Sequence, residues 1–216
     1  MKYLLTFIIS FLLLLPQQSD AKNIVFPTVP FTSQAPYGEW KDPRFQNGCE
    51  EASVIMALAW ARGTQLTLQE AKKNIIALSN FEEKKYGTFV DTSPRDTETR
   101  LFKAYFNYTA TSIKTITSIR DMTNEIDKRH ILLVQVDGRI LKNPYYTQPG
   151  PEYHMLVVHG YDPDKKEFIT NDPGTRRGKN FRYPAGRLFD ALNDYPTGNH
   201  AKRKGAQKNM IVVSKK

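Results

Sequence analysis

Apolar residues along the chain recur with helical spacing in its first half. Nearly every position of 49–61 after two glutamates is apolar, and Gly63 offers a helix stop, so this segment predicts a centrally buried helix. Thr67 and Glu70 form a capping-box pattern that opens an amphipathic helix, expected to end near Leu78. Three further helices are predicted, over 97–106, 118–129 and 184–193.

The second half of the chain contains short apolar runs rich in β-branched residues. These runs predict strands over 131–136, 154–161, 167–171 and 210–214. A turn sequence at 162–165 joins two of them, which predicts a hairpin. Segments 35–48 and 143–153 are rich in Pro, Gly and aromatic residues and are interpreted as irregular loops that wall a cleft. Helices precede most strands, an order that indicates an α+β fold.

Composition narrows the class of protein. The chain has 216 residues, of which 40% are hydrophobic and 25% charged, and these values exclude disordered and collagen-like chains. This length suffices to bury one core, so we expect a single domain over 22–216. The single Cys excludes an intramolecular disulfide and a Cys-rich zinc site. Neither a metal nor a cofactor is expected.

Residues 1–21 have the pattern of a secretory signal peptide. Lys2 precedes an apolar run over 4–15, and small residues stand at Ser19 and Ala21. The run is shorter than the roughly 20 residues of a membrane span, which favours a signal peptide that is removed. An uncleaved membrane anchor is the alternative. We therefore expect a secreted, periplasmic or cell-envelope protein without a transmembrane domain once the signal is removed.

The net charge is +9, and much of the excess lies in a basic tail over 201–216 that contains no acid. Such a run usually forms a solvated surface, and attraction to an anionic cell-surface polymer is the alternative. No nucleic-acid-binding motif accompanies the charge, so we expect no nucleic-acid partner.

Cys49 is the first candidate for chemistry because it lies where loop becomes helix. Unpaired N–H groups and the helix dipole favour a thiolate there, and the thiolate is the reactive form. A small buried core residue is the alternative. Glu50 and Glu51 follow directly, and carboxylates beside a thiol oppose its ionisation.

His154 is the candidate general base because it opens a predicted strand beside the 143–153 loop. Strand alternation puts His159 on the opposite face, so His159 is expected to be structural or at the surface, and the two cannot share a metal. The hairpin would return Asp172, or Asn171, beside His154, where a carboxylate would orient the imidazole. The alternative is that Asp172 only begins a Pro-Gly turn.

An acyl-transfer site also needs donors for an oxyanion. The backbone N–H of Cys49 is one candidate. The side-chain amide of Gln34 or of Gln46 is the second, since Gln34 ends an extended segment and Gln46 lies closer in sequence.

Three segments together resemble the papain-like cysteine peptidases of the bacteriocin-processing (double-glycine) type, family thirty-nine of that catalogue. They are residues 29–34, which precede Cys49, residues 154–162 and residues 171–173. The resemblance implies a papain-like fold, with a central buried helix packed on an antiparallel sheet. It also implies a role for each of four residues: Cys49 as nucleophile, His154 as base and acid, Asp172 as orienter and Gln34 as oxyanion donor.

The sequence departs from the pattern of the family at two points. Glu50 stands where members commonly have Gly, and the step from Gln34 to Cys49 is longer than usual, which leaves Gln46 as a rival donor. No segment resembles a transporter or an ATP-binding domain, so a free-standing, exported member is expected.

The function that follows from the resemblance is hydrolysis of peptide or amide bonds through a Cys-His-Asp triad and a thioester intermediate. Its substrates would be peptides or proteins. The same groups would serve a transamidase or a cell-wall amidase. A non-catalytic binding module on the same fold is the alternative from another class.

Overall fold

The structure is a computed structural model that describes residues 27–198, 200–202, 205 and 207–216. The predicted signal peptide, residues 1–21, lies outside the described residues, and so do positions 203, 204 and 206 of the basic tail. None of the helices in the described ranges combines the length and hydropathy that crossing a membrane requires.

Helices dominate the first half of the chain and strands the second. The helices are α1 (Pro43–Gln46), α2 (Cys49–Arg62), α3 (Leu68–Tyr86), α4 (Pro94–Asp96), a π-helix (Thr97–Tyr105), α5 (Ile119–Asp127), α6 (Gly138–Leu141) and α7 (Ala185–Ala191). The strands are β1 (Thr111–Thr115), β2 (Ile131–Val136), β3 (His154–Asp162), β4 (Glu167–Asn171), β5 (Phe181–Pro184) and β6 (Asn209–Val213). They form one antiparallel sheet in the order β1-β6-β2-β3-β4-β5. The predicted α+β class is confirmed.

Several elements differ from their sequence predictions. Helix α3 runs eight residues past the expected end near Leu78 and stops at Gly87, which adopts the left-handed conformation that ends helices. The helix predicted over 97–106 is a π-helix. The segment 35–48 is not wholly irregular, because α1 begins within it after the capping side chain of Asp42. Strands β1 and β5 were not predicted, since their short, polar sequences lack a clear alternation.

The sheet separates two hydrophobic clusters. Met155 and Val157 of β3 face α2 and α3, whereas Leu156 and Val158 face α5 and α7. The period of two along a strand produces this division. Helix α2 lies at the centre of the first cluster, and every residue from Cys49 to Trp60 is buried. A helix that is apolar around its circumference therefore occupies the predicted central position.

The start of α2 is held beside the start of β3. The hydroxyl of Ser53 donates to the carbonyl oxygen of Met155 over 3.3 Å, one residue beyond His154. Gly48 precedes the helix, and a Cβ atom there would stand 2.5 Å from the carbonyl oxygen of Arg44. Only glycine allows this close approach of α1 and α2. The fold thus places the first turns of α2 beside the first residues of β3.

Candidate active site

The sulfur of Cys49 lies between its neighbour in sequence and strand β3. Cys49 is the first residue of α2 and is 5% exposed. Its Sγ–H donates to Oε2 of Glu50 over 2.9 Å, and the backbone N–H of Met155 also faces the sulfur. The thiol is therefore adjacent to the strand residue that follows His154.

The environment of Cys49 disfavours the thiolate in this arrangement. Burial raises the pKa of the thiol well above its usual value, and the carboxyl of Glu50 raises it further. The expectation that the helix start would lower this pKa is therefore wrong for the structure described here. Desolvation and an adjacent carboxylate outweigh the helix dipole, whose effect is about 1 kcal/mol.

His154 and Asp172 are in contact at the end of the β3–β4 hairpin. The register pairs Val157 with Asn171, so the residues after β4 return beside the first residue of β3. Nε2 of His154 lies 2.8 Å from Oδ1 of Asp172, and both side chains are buried. Asp172 thus does more than begin a turn, and Nδ1 is the imidazole nitrogen that this contact leaves for another partner.

Asp172 is saturated with hydrogen-bond donors. Its Oδ1 accepts from His154 and from the backbone N–H of Gly174, at 3.0 Å. Its Oδ2 accepts from the hydroxyls of Tyr146 at 2.5 Å and Tyr183 at 2.6 Å, and from the amide of Asn143 at 3.2 Å. Burial raises the pKa of this carboxyl, but His154 and the hydroxyl donors outweigh burial and hold the pKa below its usual value. Asp172 is therefore a buried carboxylate rather than a buried acid.

Close backbone packing fixes this carboxylate against the ring. A Cβ atom on Gly174 would stand 2.9 Å from Cε1 of His154, so glycine lets the loop lie against the edge of the imidazole. The amide of Asn171 is directed elsewhere and donates to the carbonyl oxygens of Val29 and Pro30. Asp172, and not Asn171, therefore contacts the ring.

A cleft of about 670 Å³ opens over these side chains, and Cys49 and His154 both line it. The 143–153 loop forms one wall, from Tyr146 to Tyr153. From the other expected loop, Trp40, Gln46 and Asn47 line the cleft. The other two aromatic residues of that segment do not line the cleft, because Phe45 is buried in the core and Tyr37 is exposed to solvent. Gln34, Asp91, Gly174 and His200 also line the cleft.

Gln34 lies at the cleft with its amide engaged elsewhere. Its Nε2 donates to the carbonyl oxygens of Phe45, over 3.0 Å, and of Gln46, over 2.8 Å. Its Oε1 has no partner among the described residues. An oxyanion role for Gln34 requires the amide to release one of these carbonyls, so the role stays a prediction, and Gln46 stays its rival.

The remaining histidines lie away from this contact. His159 is buried, and burial lowers its pKa to about 4, which makes it a neutral core residue as expected. His130 pairs with Glu125 over 2.9 Å. Within the described ranges, no three His, Cys, Asp or Glu residues are grouped so that they could hold a metal ion.

Sequence reasoning did not identify several residues around the site. Tyr146 and Tyr183 were not linked to Asp172, since nothing in sequence aligns a loop and an edge strand with one carboxylate. Tyr195, whose hydroxyl donates to Oε1 of Glu50 over 2.8 Å, is separated from it by 145 positions. The available signal was the pair Glu50 and Glu51, two charged residues at the start of a mostly apolar helix.

The sequence matches the model of a known family over residues 26–196, and that family is described as the Peptidase_C39 like family. No curated protein matches the chain.

Two solved structures are similar to this one. The first is the crystal structure of a Bacillus anthracis protein that is named as a C39-like peptidase, with 16% identity and a TM-score of 0.55. The match covers 88% of this chain and 96% of that one. The second is the peptidase domain of Streptococcus ComA, a bi-functional ABC transporter involved in a quorum-sensing pathway. It has 14% identity and a TM-score of 0.45, over 79% of this chain and 93% of that domain. The first match shows that the fold is that of a C39-like peptidase.

Proposed function

Because the chain belongs to the Peptidase_C39 like family, we propose that it is a cysteine peptidase that hydrolyses peptide bonds through Cys49, His154 and Asp172. The observation that carries the proposal is the 2.8 Å contact between the His154 imidazole and the Asp172 carboxylate, in a cleft that Cys49 also lines. An imidazole oriented by a carboxylate beside a thiol is the arrangement that nucleophilic acyl transfer needs.

In the proposed mechanism, Asp172 fixes Nε2 of His154, so Nδ1 accepts the proton of the Cys49 thiol. The sulfur attacks the carbonyl carbon of the substrate and forms a tetrahedral oxyanion. The backbone N–H of Cys49 donates to this oxyanion, and Gln34 or Gln46 supplies the second donor. His154 then protonates the leaving amine, and water, deprotonated by His154, hydrolyses the thioester.

The test compares the wild-type chain with two variants against a peptide library. Cys49→Ala and His154→Ala should each abolish cleavage, while Cys49→Ala changes the free energy of unfolding by no more than about 1–2 kcal/mol. His130→Ala is the matched control, because this histidine pairs with Glu125 away from the cleft, and it should leave cleavage intact. Cleavage that survives Cys49→Ala would overturn the proposal.

A binding module that lacks turnover is the second candidate. Two observations favour it: the raised pKa of the Cys49 thiol and the engagement of the Gln34 amide by backbone carbonyls. Such a module would retain peptides in the cleft without cleaving them. Mass spectrometry of the same library after incubation separates the candidates, since only a peptidase produces fragments.

The proposed place of action is the cell envelope or the medium outside the cell. The signal-peptide pattern of residues 1–21 supports export, and the basic tail would then meet anionic cell-surface polymers. N-terminal sequencing of the exported protein should begin near Lys22. Retention of the whole chain inside the cell would contradict this localisation.

A further inference from the structure

The mechanism proposed above leaves one buried carboxyl group in contact with the nucleophile unused. Glu50 is 1% exposed, and its Oε2 accepts the Cys49 Sγ–H over 2.9 Å. Its Oε1 accepts from the hydroxyl of Tyr195 over 2.8 Å. In this arrangement the thiol proton is directed to Glu50 rather than to His154. The protonation state of Glu50 therefore bears directly on the sulfur.

The groups that face Glu50 are mostly acidic. Cys49 and Glu51 lie on the same helix as Glu50. Glu82 of α3 and Asp91, between α3 and α4, interact electrostatically with Glu50 from neighbouring segments. Tyr195, after α7, is its hydroxyl donor.

Basic groups act on this cluster only from further out. His200 pairs with Asp91 over 3.1 Å, the positive charge of Arg100 acts on Glu82, and His154 of β3 lines the same cleft as Cys49. Within the described ranges, neither Lys nor Arg lies within ion-pair distance of Glu50.

We propose that Glu50 is a further catalytic residue that controls the ionisation of the nucleophile. When ionised, it holds Cys49 as the neutral thiol. When protonated, it donates its own O–H to the thiolate that forms as His154 takes the thiol proton. This inference rests on the proposed function for the identity of the nucleophile and the base.

The proton balance of the step explains why protonation of Glu50 favours it. One proton from solvent binds Oε2 of Glu50, the S–H bond breaks, its proton moves to Nδ1 of His154, and the electron pair stays on sulfur. The group of three side chains starts with one net negative charge and ends neutral, with an imidazolium, a thiolate and a carboxylic acid. A buried site favours the smaller net charge.

The structure also sets the pH range in which this exchange occurs. Burial, with a further contribution from Asp91, raises the pKa of Glu50 to about 7. The thiolate fraction should therefore increase as the pH falls from about 8 to about 6, whereas an isolated thiol shows the opposite trend.

The experiment measures the rate of iodoacetamide alkylation of the native full-length chain from pH 5.5 to pH 8.5. The chain has a single Cys, so all labelling reports on Cys49. The wild-type rate should be at least about threefold higher at pH 6 than at pH 8. The Glu50→Gln side chain has nearly the same shape and donates an N–H to sulfur at every pH. This variant should react about tenfold faster than wild type at pH 8 and lose the low-pH maximum.

Glu51→Gln is the matched control, because Glu51 is equally buried and is bonded to Ser79 and not to the thiol, and burial raises its pKa well above the usual value, so the substitution removes little charge. Its alkylation profile should follow that of wild type. Tyr195→Phe provides a second variant if Glu50→Gln does not fold. It removes a donor to the ionised carboxylate, which raises the pKa of Glu50, and so should move the fast region to higher pH.

A wild-type rate that only rises with pH, matched at every pH by Glu50→Gln, overturns the inference. Alkylation needs no peptide turnover, so the two proposals fail separately. Absence of cleavage together with the predicted alkylation profile would overturn the peptidase and leave the role of Glu50 at the thiol standing. Cleavage together with an ordinary thiol profile would overturn the role of Glu50 alone.

Discussion

The molecule contains two buried carboxyl regions that differ in charge state. At the end of the β3–β4 hairpin, Asp172 is fully buried and accepts hydrogen bonds from five donors, and its pKa lies below the usual value. Between α2 and α3, Glu82 is equally buried, and neither of its oxygens has a partner among the described residues. Its pKa rises to about 9. Burial alone therefore does not decide whether a carboxyl is charged, because the donors around it do.

Glu50 lies between these extremes. It accepts two hydrogen bonds, from Cys49 and Tyr195, and its pKa of about 7 falls between those of Asp172 and Glu82. The order follows the number of donors. The predictions below replace the acceptor Asp172, the buried carboxyl of Glu82 and the donor hydroxyl of Tyr183, in decreasing order of expected effect.

Replacing the saturated carboxylate should have the largest effect. Asp172→Ala leaves the hydroxyls of Tyr146 and Tyr183 and the amide of Asn143 buried without their acceptor. We expect the free energy of unfolding to fall by about 3–5 kcal/mol in urea denaturation at pH 7. Asp162→Ala, which removes a surface carboxylate paired with Arg182, is the control and should cost less than about 1 kcal/mol. A loss below about 1 kcal/mol for Asp172→Ala would mean that its donors find other partners.

Replacing Glu82 by the neutral Gln should have the opposite effect and raise the free energy of unfolding. The folded pKa of Glu82, about 9, exceeds the unfolded value of 4.5, so the folded state binds an extra proton between these values. The stability linked to that proton is fully present below pH 4.5 and is lost as the pH rises to about 9. Glu82→Gln should therefore stabilise the protein by about 1–3 kcal/mol at pH 8 and have little effect at pH 5.

Thermal unfolding at the two pH values measures this difference. Glu83→Gln, one position along on the exposed side of α3, is the matched control and should change stability at neither pH. Equal melting temperatures for wild type and Glu82→Gln at pH 8 would show that Glu82 is not forced to remain protonated.

Removing one donor from Asp172 should have the smallest effect. Tyr183→Phe deletes the 2.6 Å hydrogen bond and leaves four donors, so we expect a loss of about 1 kcal/mol at pH 7. It should also raise the pKa of Asp172 and move the midpoint of acid unfolding to higher pH. Urea denaturation at pH 7 and an acid titration followed by circular dichroism test both effects. An unchanged acid midpoint would indicate that the other donors compensate fully.

Local patterns sufficed to predict the elements that carry the proposed triad. The start of α2 at Cys49 and the hairpin that joins His154 to Asp172 follow from apolar periodicity and turn residues close in sequence. The single-domain boundary and the signal peptide stay predictions, since residues 1–26 are outside the described residues.

The polar surroundings of these residues could not be predicted. Tyr183 comes from a four-residue edge strand, and Tyr195 approaches Glu50 from the other end of the chain. Such contacts depend on tertiary packing, which periodicity does not report. The direction of the pKa shift of Cys49 was predicted wrongly for the same reason: the helix start is a local feature, but the desolvation that outweighs it comes from the whole fold.

The order of these contacts along the chain has a consequence for biosynthesis. Cys49 leaves the ribosome more than 100 residues before Asp172, and Tyr195 and His200 follow later still. A nascent chain that already contains Cys49 therefore lacks the His154 imidazole, the Asp172 carboxylate and the cleft wall formed by the 143–153 loop until those later segments are synthesised. A chain truncated before residue 154 contains the Cys49 thiol without the imidazole and the carboxylate of the proposed triad.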